Sequence, residues 1–244
     1  MEQKNKDWFL SRVGYLSASN LDKLMSKGRG KEEWGQTAIS YLYGIERQRW
    51  LKEPPEEISA PQLKWGTEQE PYAVEWIREN VGLGPDVIVR HYETDFDQKP
   101  FIKVDWAKYG ASPDADLFNS TTGKIEALVE IKSVWGDKDT AMYFSPSRPF
   151  EKKKADAFEA HKEQMAGQLL AFPDVDSIFL MKYDGQTDSE FDMRDPLDFT
   201  RGIIFYFNRS EFGDYLDKLK DRIIKADQYL DLGYELDLIN EYYK

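Results

Sequence analysis

Three charged residues stand in an arrangement that can carry chemistry. Asp114 follows Ser112-Pro113, and Glu130 and Lys132 lie in Leu128-Val129-Glu130-Ile131-Lys132-Ser133. The second segment is apolar around its charges and reads as a buried central strand. Residues two apart on a strand face the same way, so Glu130 and Lys132 share one face. A buried charge is costly unless it is paired or bound to a metal. Two readings therefore stay open: a structural Glu–Lys ion pair, or part of a metal centre. Asp114, at the end of a strand beginning at Ala111, and Glu70, in the first turn of a helix starting at Gly66, would bring further carboxylates to such a centre. The main-chain carbonyl of Ile131 lies between Glu130 and Lys132 and adds an oxygen donor. Such donors suit Mg²⁺ or Mn²⁺. Lys132 would orient or help deprotonate a bound water, which is the plan of metal-assisted phosphodiester hydrolysis.

The rest of the chain bounds these readings. Zero cysteines among 244 residues exclude a disulfide scaffold, a thiolate metal site, an iron–sulfur cluster and a cysteine nucleophile. Two histidines leave little for softer metals. Aromatics at 14% supply a sizeable core. No apolar run is long enough to span a membrane, and no leader-like stretch follows the N-terminus, so a cytoplasmic protein is expected. A net charge of −12 argues against attachment to nucleic acid by bulk charge, though not against a site with local cations. Neither GxGxxG nor a P-loop is present.

Periodicity predicts the elements that must position the acids. A helix or turn covers Trp8–Met25, with N-cap candidates in Ser17–Asn20, and a basic loop follows at Ser26–Lys31. Helices are expected over Trp34–Trp50, stopped by Pro54-Pro55, and over about Thr67–Asn80. Strands follow at Asp86–Tyr92, Phe101–Trp106, Ala111–Phe118 and Ile125–Val134, then an irregular loop over Trp135–Pro149. A crossover helix over about Glu151–Ala171 leads to strands Ser177–Tyr183 and Gly202–Asn208. Ser210 would cap a helix to about Leu230, and a short helix is expected in 234–244. The fold class is α/β: one domain with a central mixed sheet flanked by helices. Its parts are an N-terminal helical region 1–62, a core 63–230 and a tail 231–244.

Five ordered motifs resemble one family. Trp8-Phe9-Leu10-Ser11-Arg12 through Gly14 to Ser17-Ala18-Ser19 resembles its opening motif, and Gly66-Thr67-Glu68-Gln69-Glu70-Pro71-Tyr72-Ala73 its Gly-x-x-x-Glu-x-x-Ala helix. Pro113-Asp114 and Glu130-Ile131-Lys132 resemble the PD-(D/E)XK nuclease signature, and Gln164-Met165-Ala166-Gly167-Gln168 the glutamine-bearing helix. Together they resemble the lambda exonuclease family, also called YqaJ-like viral recombinases, from Trp8 to about Ile223. The resemblance implies a PD-(D/E)XK-type domain that degrades one strand of linear duplex DNA from its 5′ end, using Mg²⁺ (or Mn²⁺), two ions per site. It implies that Asp114, Glu130 and the Ile131 carbonyl hold the metal and that Lys132 and Glu70 act on the attacking water. Gln164 and Ser112 would lie near phosphates, and Arg12 and Ser19 in a pocket for a 5′-terminal phosphate. Arg29 and Leu63 fall where the family prises apart the duplex end. A homotrimeric ring and a single-strand annealing protein as partner, in phage-type recombination within a bacterial cell, follow from the same resemblance. A structure-specific or restriction-type endonuclease, or an idle DNA-end-binding module, would use the same core.

Other features carry less. Asp116 is a possible third ligand by alternation from Asp114. Glu68 and Glu75 read as a solvated helix face, His161 as packing beside Gln164, and Lys152-Lys153-Lys154 as a solvated helix start.

Overall fold

The computed structural model describes residues 6–54, 60–96, 100–186, 192–233 and 235–242. The N-terminal stretch 1–5 read for a leader, Pro55, and residues 234, 243 and 244 of the expected tail helix lie outside them. Helices α1 (Lys6–Leu10), α2 (Leu21–Leu24), α3 (Gln36–Leu51) and α4 (Pro61–Asn80) come first, interrupted by the two-residue strand β1 (Leu16–Ser17). Strands β2 (Val87–His91), β3 (Ile102–Lys103), β4 (Tyr109–Ala111), β5 (Ala115–Asn119) and β6 (Lys124–Ser133) follow. Then come α5 (Asp137–Phe144), α6 (Phe150–Ala171), β7 (Ser177–Tyr183), β8 (Gly202–Asn208), α7 (Tyr215–Leu232) and α8 (Ile239–Tyr242).

Among the described residues the strands make a five-stranded sheet in the order β2-β5-β6-β7-β8 and a three-stranded sheet in the order β1-β4-β3. In the larger sheet only β6 and β7 run parallel; their connection is the crossover through α5 and α6. The mixed α/β class expected from sequence is therefore the class observed. Strand β6 is central and helix-covered on both faces. Its Leu128 joins a core with Met165 and Leu169 of α6, while Ala127, Val129 and Ile131 join a second core with Ala73, Val74 and Ile77 of α4. The two-residue alternation that sends Leu128 toward α6 sends Glu130 and Lys132 the same way.

Several expectations need correction. The strand expected over Ala111–Phe118 is two strands in different sheets, β4 and β5. Pro113 lacks an N–H and restrains Ser112, so the chain breaks there and Asp114 enters β5 from a corner. Helix α4 begins at Pro61, six residues before the expected start, with Pro71 inside it. Proline is at home in a first turn, and packing of the buried Ala73–Ile77 face carries the helix past the second one. Glu70 thus lies in mid-helix, not in a first turn. The loop Trp135–Pro149 contains α5, whose first turn carries Asp137 and Asp139; its single buried residue, Tyr143, leaves little apolar periodicity to read. Ser210 is not the cap of the last long helix: Asn208 caps a 3₁₀ turn over Arg209–Phe212, and α7 starts at Tyr215.

The two ends of the chain are clasped. Arg222 of α7 donates to the carbonyls of Leu24 and Glu33 and stacks over the Trp34 ring at 3.4 Å. Asn240 of α8 bonds both the N–H and the C=O of Trp34, at 2.7 and 2.9 Å. Arg49 joins the Gly14 carbonyl to Asp227 and Asp231 of α7.

Candidate active site

One cleft of about 430 Å³ opens between α4, α6, the corner at Pro113 and the start of the chain. It is lined by Asp114, Glu130, Ile131, Lys132, Glu70 and Gln164, and also by Arg12, Ser19, Ser112 and Leu63. Every residue expected at the site is thus in this cleft except Arg29, which is exposed in the basic loop and does not line it. Lys152 is exposed too, while Lys153 is buried and Lys154 pairs with Glu211 at 3.2 Å.

Glu130 is 1% exposed. Lys132 Nζ lies 2.6 Å from Glu130 Oε1, and Gln164 Nε2 donates to the same oxygen at 2.6 Å. Gln168, one helical turn after Gln164, donates to Oε2. Gln168 went unassigned in the sequence, although its spacing of four from Gln164 puts both on one helix face. Gly167 between them lets α6 pack closely on α2 and β4: a Cβ there would lie 2.3 Å from Leu21 Cδ1 and 2.5 Å from the Tyr109 hydroxyl. Asp114 accepts the Ile131 N–H at 2.8 Å, which ties the corner to the acid strand. Burial, followed by the charge of Asp114, pushes the Glu130 carboxyl up to about 7, against the pull of Lys132. Burial acts to lower the Lys132 ammonium, and the charges of Glu130 and Asp114 outweigh it and hold it up. The ion-pair reading of Glu130 and Lys132 and the metal-centre reading describe the same atoms. Two carboxylates lining one cleft, the buried one resisting ionisation, form an all-oxygen donor set that a hard dication fits and relieves.

Asp116 is not part of this set. It is fully buried and held by Arg90 through two hydrogen bonds, at 2.9 and 2.7 Å, and by the Tyr92 hydroxyl at 2.9 Å. The alternation argument failed because Asp114 sits on the corner, outside the strand ladder. His161 turns to Lys182 on β7, with Nε2 2.6 Å from Nζ. Burial, then the charges of Lys182 and Lys132, drive its pKa down to about 2.

At the other end of the cleft, the guanidinium of Arg12 packs over the Trp8 ring at 3.7 Å and near Phe101 at 4.7 Å. Its Nε and Nη2 are buried without a hydrogen-bond partner, and burial lowers its pKa to about 10. Ser19 is exposed at the cleft and shares a contact of 3.3 Å with Ser17 Oγ. Ser112 lines the cleft, but its hydroxyl donates to the Pro100 carbonyl. Leu63 is 60% exposed at the rim.

Glu70 has a buried neighbour that sequence reasoning missed. His91 Nε2 lies 2.9 Å from Glu70 Oε1. Glu70, His91 and Glu93 place three ligand atoms within 4.8 Å of one another. A single histidine at a strand end gives no spacing to read.

Known structures share this architecture. The alkaline exonuclease of Laribacter hongkongensis matches with a TM-score of 0.64 at 19% identity, over 98% of both chains. A structure of that protein, LHK-Exo, in complex with dAMP matches with a TM-score of 0.59 at 20% identity. A phage-related exonuclease of Haemophilus somnus matches with a TM-score of 0.62 at 15% identity, over 93% of this chain and 96% of that one. No family model and no curated protein matches the chain. The fold is the one these exonucleases share.

Proposed function

We propose that this chain is a divalent-metal-dependent exonuclease, a single nuclease domain that degrades one strand of linear duplex DNA from a 5′ end. The observation that carries the reading is the joining, in one cleft, of the Asp114–Glu130–Lys132 centre with an Arg12 guanidinium whose buried donors are unmet. A terminal phosphate supplies the acceptor Arg12 lacks, and guanidinium and phosphate match in geometry. Ser19 adds a hydroxyl donor. The likeness to alkaline and phage-related exonucleases supports the same chemistry.

Asp114, Glu130 and the Ile131 carbonyl would hold Mg²⁺ or Mn²⁺, two ions per site. The bound cation supplies Lewis-acid stabilisation of phosphate charge and a more acidic water. The chain's own side chains do the rest. Glu70 accepts a proton from the attacking water, and Lys132 orients that water and offsets negative charge at phosphorus. Gln164 and Gln168 fix the Glu130 carboxylate, and Leu63 at the rim wedges the duplex end. We place the protein in the cytoplasm of a bacterial host, in phage-type recombination beside a single-strand annealing partner. Among the described residues no helix is long and apolar enough to cross a membrane. A chain of net charge −12 has little bulk hold on DNA, so a ring of three copies would supply retention by enclosure. Sedimentation mass tests that ring, a monomeric active species removing it.

The function is tested by incubating linear and closed-circular duplex with Mg²⁺ or with EDTA. The linear form should be consumed only with Mg²⁺ and the circle spared. A nicked or cut circle would make the protein an endonuclease, and no cleavage of either a DNA-binding module. A second expected result concerns the anchor. A 5′-phosphorylated duplex should be degraded faster than a 5′-hydroxyl one, by about tenfold or more for a charge-assisted contact of 1.5–3 kcal/mol, and Arg12→Ala should erase the difference. Equal rates on both ends in the unaltered protein would remove the phosphate pocket.

A further inference from the structure

We infer that His91 is the positioning residue for Glu70. The inference rests on the reading of Glu70 as acceptor of the water's proton.

His91 ends β2 in register with Ala115, next to Asp114, whose carbonyl accepts the Tyr92 N–H at 2.9 Å. It is 1% exposed, and both ring nitrogens are engaged: Nε2 with Glu70 Oε1 and Nδ1 with Thr94 Oγ1, each at 2.9 Å. Asp95 accepts the Thr94 hydroxyl at Oδ1, and the His91 backbone N–H and Arg78 at Oδ2. The imidazole is thus held from both sides, by Glu70 at Nε2 and by the Thr94–Asp95 turn at Nδ1.

The chain closes on itself. Arg78 lies on α4, two turns after Glu70, so the helix carrying Glu70 is gripped at both places by the turn His91–Asp95. Clamped through Oε1, the Glu70 carboxylate cannot turn about its last bond without breaking the bond to His91. Glu93 is near enough to complete a three-ligand cluster, but both imidazole nitrogens are already bonded, which makes the arrangement present a hydrogen-bonded pair.

The chain has two histidines, so nitrogen-resolved imidazole NMR on the metal-free protein sees two rings, with His161 on Lys182 as the internal reference. Glu70→Gln should shift the His91 Nε2 resonance while leaving His161 unmoved. A Glu70→Gln spectrum unchanged at His91 overturns the inference without any activity measurement. Kinetically, His91→Asn keeps a polar group toward Thr94 and loses the one toward Glu70. It should lower kcat about 10–100-fold, the usual effect of a residue one shell behind the reacting groups, with KM for duplex unchanged. His91→Gln, whose amide reaches the Nε2 position, should recover most of the loss. Adding His91→Asn to Glu70→Gln should cost nothing further, because the two act as one unit. If the unaltered protein cleaves and His91→Asn keeps full kcat, this inference falls and the nuclease reading stands. If the unaltered protein does not cleave, the nuclease reading falls, and the spectrum alone judges His91.

Discussion

Glu130→Ala and Lys132→Ala should each lower cleavage of linear duplex by at least about 10²–10⁴-fold, the range for loss of general acid–base help, with the fold intact. The two losses differ in kind. Glu130 offers two oxygens at the bottom of the cleft, and its removal takes away a metal donor. Since cation stabilisation of the transition state amounts to several kcal/mol and each ~1.4 kcal/mol is tenfold, Glu130→Ala belongs at or beyond the upper end. It should also raise the Mg²⁺ concentration needed for any residual activity. Lys132→Ala removes the group that orients water and should leave the Mg²⁺ requirement nearly unmoved. Glu130 is a buried acid that resists ionisation, so its loss removes a cost as well as its bonds to Lys132, Gln164 and Gln168, and turnover is compared below the melting transition of each variant. Side-by-side Mg²⁺ titrations with calorimetric melts decide the matter. A Lys132→Ala protein with near-normal turnover at saturating Mg²⁺ would overturn the assignment.

Asp116→Ala should have the opposite profile: about 3 kcal/mol of stability lost, and activity per folded molecule retained below the melting transition. Asp116 and Asp114 are two positions apart, yet one closes a buried bidentate pair and the other faces the cleft. Removing one partner of a buried pair costs about 3–5 kcal/mol, because the other charge is left behind. Arg90 is 24% exposed and regains some solvent, which sets the value at the low end. The carboxylate also orders the Tyr92 hydroxyl and holds β2 against β5 in register Arg90↔Asp116. Urea midpoints for Asp116→Ala and Asp114→Ala, read beside their turnover at low temperature, separate the two roles. An Asp116→Ala protein as stable as the parent but inactive would return this residue to the metal centre.

That contrast marks where the sequence was legible. Strands β7 and β8 have the expected bounds, and α6 begins one residue from its expected start, because long apolar patterns bounded by turn residues leave few alternatives. The shared face of Glu130 and Lys132 follows from strand alternation alone. What was not legible depends on partners far away in sequence or on breakers that do not break. Pro61 and Pro71 conceal a twenty-residue helix because tertiary packing, not propensity, carries it past them. Pro113 hands the chain from one sheet to another, a change no local pattern encodes. Asp116 could be assigned only once its register opposite Arg90 was known, and His91 only once β2 had been brought beside α4. Gln168 was within reach from Gln164 by helical spacing.

The clasp between the two ends of the chain has a consequence for the order in which the protein is made. Asp114 and Ile131, which join the corner to the acid strand, are 17 residues apart and can meet as soon as the hairpin leaves the ribosome. Gln164 and Gln168 reach Glu130 across 34 and 38 residues. Arg49, which holds the Gly14 carbonyl, has partners on α7 that are 178 and 182 residues later, and Trp34 waits for Asn240 across 206. Contacts of such separation form late and slowly. On a growing chain the Asp114–Ile131 link can therefore close well before the clasp. The seating of the N-terminal segment against α7 and α8 is thus a late event of synthesis, however early the acids meet.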